Sequence, residues 1–224
     1  IDEVAGRYRG RVRVWDVVNE PFWPEAGEPG NYGTGPWYDA FGPAYIGRAL
    51  HRAAAADPRA LLAINEAHTE QQTRRGMAIR SALLRLIEDL LQAGAPLHVI
   101  GLQGHLQPHR PFDGAAFEDF LWKIAGFGLR IHITELDVND RSLDRDAARR
   151  DAQVAEWTAR FLGLVLKVPA VRAVISWQLS DRYSFYRDSR SLFQAEPRPL
   201  PFDGNYRRKP VYDVMARRFA AAAQ

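Results

Sequence analysis

Five short apolar runs recur along this chain, and each is separated from the next by enough residues for a helix. The runs are rich in valine, isoleucine and leucine, which is typical of strands buried on both faces of a parallel sheet. We therefore predict strands over residues 12–18, 60–64, 97–102, 130–134 and 171–177.

The segments between these runs carry apolar residues at helical spacing. In residues 73–93, Ile79, Leu83 and Ile87 recur every four positions, which predicts a helix with one apolar face. Strands and helices in alternation are typical of a parallel sheet with crossover helices, and no linker or second domain interrupts the pattern. Helices are predicted over residues 37–56, 73–93, 113–126, 146–167 and 210–223.

Each predicted strand becomes polar where it ends. Side chains that only capped the following helices would be Ser, Thr, Asp or Asn more often than Glu, Gln, His or Trp. In a (β/α) barrel the C-terminal ends of the strands form the mouth in which active sites are built, so the pattern predicts a site there. The polar strand ends are Asn19 and Glu20, Asn65 and Glu66, Gln103 and His105, Glu135 and Asp137, and Trp177 and Asp181.

Composition excludes several classes of protein and site. The chain of 224 residues has 46% hydrophobic and 25% charged residues and a net charge of +3, with its arginines scattered among acids, so no nucleic-acid partner is predicted. No apolar run approaches the roughly 18 residues of a membrane span. There is no cysteine, and the six histidines show no zinc-binding spacing. No metal, cofactor or membrane partner is predicted.

Two glutamates at the ends of different strands favour chemistry at a sugar acetal. One carboxyl group, when protonated, can assist departure of the leaving oxygen, and the other, when ionised, can attack the anomeric carbon. Glu20 and Glu135 are the matched pair. A retaining mechanism requires their carboxyl oxygens to lie about 5–5.5 Å apart.

Five segments, in order and spacing, resemble motifs of glycoside hydrolase family 10, the endo-β-1,4-xylanases. The resemblance extends over essentially the whole chain and implies a (β/α)8 TIM barrel and retaining hydrolysis of β-1,4-xylan by double displacement. The segments are WDVVNE (15–20), GLQGH (101–105), ITELD (133–137), SWQLSDRYSF (176–185) and LPFDGNYRRKPVYDVM (200–215).

The resemblance also implies roles for individual residues. By motif position Glu20 matches the acid/base of the family and Glu135 its nucleophile. Asn19 matches the residue that bonds the sugar 2-hydroxyl. Gln103 and His105 match polar residues that line the same subsite.

Other matched positions include some departures from the family pattern. Asp137 matches the partner that orients the histidine, and Trp177 matches an aromatic wall of the subsite for the cleaved sugar. The family usually has glycine where this chain has Gln178, and tryptophan where it has Phe185. The segment INEAHTE (64–70) also differs from the usual motif. We expect altered subsite affinity rather than lost chemistry.

The resemblance begins partway through the family's barrel. WDVVNE belongs to the fourth strand, and residues 1–10 resemble the end of the preceding helix, so the chain is expected to cover about strands 4–8 within one partial domain over residues 1–224. We expect an open, curved sheet of five strands, with Glu20 at one edge and Trp177 at the other, which is inactive as an isolated fragment. The family implies an extracellular or periplasmic protein, whose signal peptide would lie outside this chain.

Two other functions stay open. Another retaining β-glycanase of the same barrel type would act on glucan or mannan and not on xylan. A non-catalytic carbohydrate-binding remnant would be expected to lack one of the two glutamates, and both are present.

Overall fold

Strands and helices alternate along the chain in the computed structural model, which describes residues 1–188 and 195–223. Every predicted strand and helix is present, with the differences in bounds given below. The strands are β1 (Val14–Asn19), β2 (Leu61–Glu66), β3 (Val99–Leu102), β4 (His105–Leu106), β5 (Arg130–Val138) and β6 (Val171–Ser176). The α-helices are α1 (Asp2–Arg7), α2 (Pro36–Phe41), α3 (Ala44–Ala56), α4 (Arg74–Gln92), α5 (Gly114–Gly126), α6 (Ala147–Val165) and α7 (Pro210–Ala222).

The strands form a parallel sheet with two open edges in the part of the chain that the structure describes. The main strands follow the order β1, β2, β3, β5 and β6, and each neighbouring pair is parallel. A helix connects each of these strands to the next, as a parallel pairing requires. The C-terminal ends of all these strands therefore lie at the same edge of the sheet, as the polar strand ends predicted.

The centre of the sheet is buried, whereas its outer strands are partly accessible. Strands β2 and β3 are buried almost throughout, and β1 and β6 show mixed burial. Ile100 of β3 has no exposed surface, but Ile175 of β6 is 50% exposed. Helix α4 buries Ile79, Leu83 and Ile87, which confirms its predicted apolar face.

Capping residues explain why three helices begin where the sequence predicted. Thr73, Asp113 and Asp146 each accept a hydrogen bond from the backbone N–H three residues further on. This bond satisfies one of the N–H groups that the first turn of a helix leaves unpaired. Helices α4, α5 and α6 therefore begin one residue after the predicted starts.

The predicted helix over residues 37–56 is two helices, α2 and α3. Gly42 separates them with a φ of 56°, which is in the left-handed region. Pro43 follows and has no N–H to donate to a continuing helix. The helical spacing of the apolar residues continues across this break, so periodicity alone did not indicate it.

The predicted five-stranded sheet gains a sixth, very short strand. In β4, His105 pairs with Asp137 and Leu106 with Val138. This pairing extends β5 to Val138, so Glu135 and Asp137 lie within the strand and not after it. A strand of two residues has no periodicity to detect, which is why the sequence pattern missed it. Glu20 directly follows β1, at one edge.

Buried ion pairs hold the C-terminal motif against the loop that follows β6. Lys209 is 3% exposed, and its Nζ lies 2.9 Å from Asp181 Oδ2 and 3.3 Å from Asp151 Oδ1. Arg198 donates two hydrogen bonds to Asp151, at 2.9 and 2.6 Å. Removing one member of such a cluster leaves a buried charge uncompensated, so the cluster fixes this segment firmly.

Candidate active site

Glu20 is held at the edge of the sheet by groups from two other strand ends. Its φ of 52° is uncommon for a glutamate. The Glu20 N–H donates to the carbonyl oxygen of Asn65 at 2.8 Å, which ties this turn to the end of β2. Gln103 Nε2 donates to Glu20 Oε1 at 2.7 Å. The carboxyl group therefore has one oxygen engaged, and its backbone is fixed.

Glu135 lies in β5, and both of its carboxyl oxygens have hydrogen-bond partners. It is 9% exposed. Asn65 Nδ2 donates to Oε1 at 2.8 Å, and His105 Nε2 lies 3.1 Å from Oε2. Bonds from an amide and an imidazole hold this carboxylate in a single orientation, as a reacting group requires.

His105 connects the carboxyl groups of Glu135 and Asp137. Its Nδ1 lies 2.9 Å from Asp137 Oδ1, which also accepts a hydrogen bond from the Tyr186 hydroxyl at 3.2 Å. Burial opposes a charge on the ring, but the hydrogen bonds to Asp137 and Glu135 outweigh it and raise the pKa of His105 to about 10. A charged imidazole donates from both nitrogens, one to each carboxylate.

Asn65 joins the two halves of the site. Its Nδ2 donates to Asn19 Oδ1 at 2.9 Å as well as to Glu135, and its Oδ1 accepts from the Thr134 hydroxyl at 2.7 Å. Gly101 makes room for this side chain, because a Cβ there would lie 2.4 Å from Asn65 Oδ1. Asn19, Gln103 and Asn65 thereby link the two glutamates.

Two aromatic side chains stand beside the histidine. The Trp177 ring lies 6.1 Å from that of His105, edge to face, and the Phe185 ring lies 5.4 Å away. Their exposed fractions are 43% and 41%, so both present apolar faces to solvent at the mouth of the site. Such faces can pack against a pyranose ring.

Glu66 supports the loop that follows Glu20. It is 1% exposed, and its carboxyl oxygens accept the N–H groups of Phe22 at 3.2 Å and Ala67 at 2.8 Å. Burial raises the pKa of Glu66 to about 8, against the lowering effect of its two backbone hydrogen bonds, and the charge of Glu20 acts in the same direction as burial. The side chain therefore joins the loop after β1 to the end of β2.

The structure brings the predicted site residues into one connected cluster. Sequence reasoning noted the position of Asn65 at a strand end but assigned it no role, and it did not identify Tyr186, whose hydroxyl donates to Asp137. The clustered predictions are Asn19, Glu20, Gln103, His105, Glu135, Asp137, Trp177 and Phe185.

Within residues 1–188 and 195–223, no group of three or more His, Asp or Glu side chains could hold a metal ion. No helix in those ranges is long and apolar enough to cross a membrane.

Residues 1–218 match the sequence model of the family described as Glycosyl hydrolase family 10. Endo-1,4-beta-xylanase B of Thermotoga neapolitana is 34% identical over 212 residues, which are 95% of this chain and 58% of that protein. The chain thus spans little more than half the length of this curated relative.

Solved structures show the same fold. Native xylanase 10B of Thermotoga maritima has a TM-score of 0.85 and 31% identity, and the match covers 98% of this chain and 64% of that one. Xylanase 10B of Thermotoga petrophila RKU-1, solved in complex with xylobiose, has a TM-score of 0.85 and 30% identity, covering 100% and 64%. The chain has the fold of one part of a TIM barrel, as predicted.

Proposed function

Because this chain belongs to glycosyl hydrolase family 10, we propose that it forms the C-terminal part of the catalytic barrel of a retaining endo-1,4-β-xylanase. The βα units that precede the WDVVNE motif in its relatives would complete the barrel. We define the complete-barrel protein as residues 1–224 joined, before Ile1, to the preceding βα units of the Thermotoga neapolitana relative.

One observation carries the proposal of a hydrolase. Two glutamates from different strands lie in one hydrogen-bonded cluster, and polar side chains from other strand ends hold each of them. Gln103 holds Glu20, and Asn65 and His105 hold Glu135. A binding protein has no need to orient two carboxyl groups in this way, whereas glycoside hydrolysis depends on it.

The proposed mechanism assigns different roles to the two carboxyl groups. Glu135 attacks the anomeric carbon of a xylose unit while Glu20 protonates the departing glycosidic oxygen. Gln103 engages Glu20 Oε1, which leaves Oε2 to carry that proton. Glu20 then takes a proton from the water that hydrolyses the glycosyl ester on Glu135, and the second inversion restores the original anomeric configuration.

The His105–Asp137 pair serves the nucleophile in this mechanism. Because His105 is charged, its hydrogen bond at 3.1 Å holds the Glu135 carboxyl group in position for attack. Asp137 compensates the buried imidazolium and fixes the orientation of the ring. Asn19 lies beside Glu20 and Asn65, where it can bond a sugar hydroxyl near the reacting carbon.

The proposed function is tested by substrate preference. Xylan, carboxymethylcellulose and mannan are assayed with the complete-barrel protein, and the anomeric configuration of the first product is followed by NMR. We expect hydrolysis of xylan well above that of the other two, with retention. Preference for carboxymethylcellulose or mannan would show that the substrate is a glucan or a mannan and not xylan. Absence of turnover on all three would favour a binding remnant.

The aromatic pair provides a second prediction, since Trp177 and Phe185 should contribute differently to substrate binding. Trp177→Ala in the complete-barrel protein should lower kcat/KM on xylan roughly fivefold to 150-fold, about 1–3 kcal/mol of transition-state stabilisation, because it removes an aromatic face from the site. Phe185→Trp should be tolerated, because Phe185 is 41% exposed and a larger ring can extend into solvent. A large loss for Phe185→Trp would show that this ring is a packing element.

A further inference from the structure

Two buried carboxyl oxygens near the site have no hydrogen-bond partner among the described residues. They are Oε2 of Glu70 and Oδ2 of Asp137. The two residues are 4% and 2% exposed, respectively. Buried carboxylate oxygens normally have partners, because an unpaired one costs about 1–3 kcal/mol or more. Two such atoms in one region therefore require an explanation.

A proton on Glu70 would remove part of this cost. Glu70 lies in the loop between β2 and α4, and its Oε1 accepts a long bond of 3.4 Å from Gln71. The carboxyl group also interacts with the N–H of its own backbone. A small cavity of about 10 Å³ adjoins it, lined in part by Leu106, Phe112 and Phe161. This volume holds about one water molecule. An O–H on Glu70 could donate to a water in that cavity, whereas an ionised Oε2 has no donor among the described residues.

Two cations lie near Glu70, and neither makes an ion pair with it. The charge of Arg80 acts on Glu70 electrostatically. Arg80 of α4 directs one guanidinium nitrogen to the Thr69 and Gln71 carbonyl oxygens and the other to Gln72. Arg110, beyond β4, lines the cavity but makes no ion pair with Glu70.

Other charges that act on Glu70 belong to the proposed site itself. His105 of β4 and Asp137 of β5 both act on it electrostatically. The charges of Asp137 and Glu70 both act on Tyr186, in the segment after β6. The positive charge of His105 is already shared between Asp137 and Glu135. An ionised Glu70 would therefore place a third carboxylate near one imidazolium, while Arg80 is engaged by three other acceptors.

We propose that Glu70 is a positioning residue that is protonated in the working enzyme, and that its O–H bonds a water in the adjoining cavity. It would thereby preserve the charge balance of the Asp137–His105–Glu135 chain. The role in catalysis rests on the proposed function, because it acts through the nucleophile Glu135. The protonation itself does not.

Electrostatics agree with the geometry. Burial raises the pKa of Glu70 to about 7, and it also raises that of Asp137 against the lowering effect of His105. Glu70 is thus neutral below neutral pH and becomes charged above it. His105, with a pKa of about 10, remains positive across that change and reports it.

NMR of the histidine ring tests the protonation without any need for activity. The ring nitrogen shifts of His105 in the complete-barrel protein should show a step centred near pH 7 that Glu70→Gln abolishes and Glu88→Gln, at an exposed site on α4, retains. Glutamine has nearly the shape of a protonated glutamate, so the variant should fold. A wild-type titration without that step, or a step that persists in Glu70→Gln, would overturn the proposal.

Activity then tests the positioning role. The ratio of kcat/KM for wild type and Glu70→Gln should be constant at acidic pH, where both side chains are neutral, and should change by about threefold or more as Glu70 ionises. A ratio that is the same at every pH would show that Glu70 does not act on the reaction. If xylan is not cleaved at all, the proposed function fails while the NMR result stands.

Discussion

Replacing Glu135 with alanine in the complete-barrel protein is expected to abolish xylan hydrolysis almost entirely, with kcat reduced by about four orders of magnitude or more. Without this carboxylate no glycosyl ester can form, because no nucleophile is present to attack the anomeric carbon as the glycosidic oxygen departs. The loss should be the same for substrates with good and poor leaving groups, since the missing step is common to both.

Replacing Glu20 with alanine should have a selective effect. Xylan should lose about 10²–10⁴-fold in kcat/KM, because its sugar leaving group needs a proton. Aryl xylobiosides whose phenols are acidic should still form the glycosyl ester, since their leaving groups depart as stable anions. Steady-state and burst kinetics on both substrate types separate the two steps.

A matched control uses an exposed glutamate remote from the cluster. Glu156 lies on the surface of α6, and Glu156→Ala should change kcat/KM on either substrate by no more than about twofold. If Glu20→Ala and Glu135→Ala lose activity on the aryl xylobiosides equally, the assigned roles would be contradicted. Unfolding curves that match the wild type would show that the losses are chemical and not structural.

Local signals in the sequence predicted the helices better than the ends of the strands. Thr73, Asp113 and Asp146 mark helix starts by their own side-chain chemistry, and the structure follows them closely. The extension of β5 beyond the predicted run depends on pairing between His105 and Asp137, which are 32 residues apart. No local pattern encodes such a contact.

The same distinction applies to the site. Glu20 and Glu135 could be identified because each lies where an apolar run becomes polar and each falls in a recognisable motif. Asn65 also lies at such a position, but its importance comes from contacts with Asn19 and Glu135, 46 and 70 residues away. Glu70 gave no signal, since a glutamate in a loop is ordinarily exposed and its burial is a property of the folded chain.

The open sheet suggests a final test, because residues 1–224 alone are not expected to be a working enzyme. Strands β1 and β6 each have a single paired neighbour among the main strands in the described parts of the chain, and their free edges can pair with other chains.

Apolar side chains near these edges are also accessible. Ile175 is 50% and Leu179 62% exposed near the β6 edge, and Val4 of α1 is 58% exposed. Surfaces of this kind promote association when nothing covers them. In a closed barrel the first strands would pair with both edges and cover the inner face of the sheet.

Expression of residues 1–224 should therefore give self-associating or poorly cooperative protein with little xylanase activity, whereas the complete-barrel protein should be active and fold cooperatively. Size-exclusion chromatography, urea unfolding and xylan assays compare the two, and the preceding βα units added as a separate chain provide a third sample. Partial recovery of activity in that mixture would locate the defect at the open edges, because the catalytic glutamates are present in every sample. A monomeric, cooperatively folding 224-residue protein with near-normal activity would contradict the prediction and show that the glutamate cluster is sufficient on an open sheet.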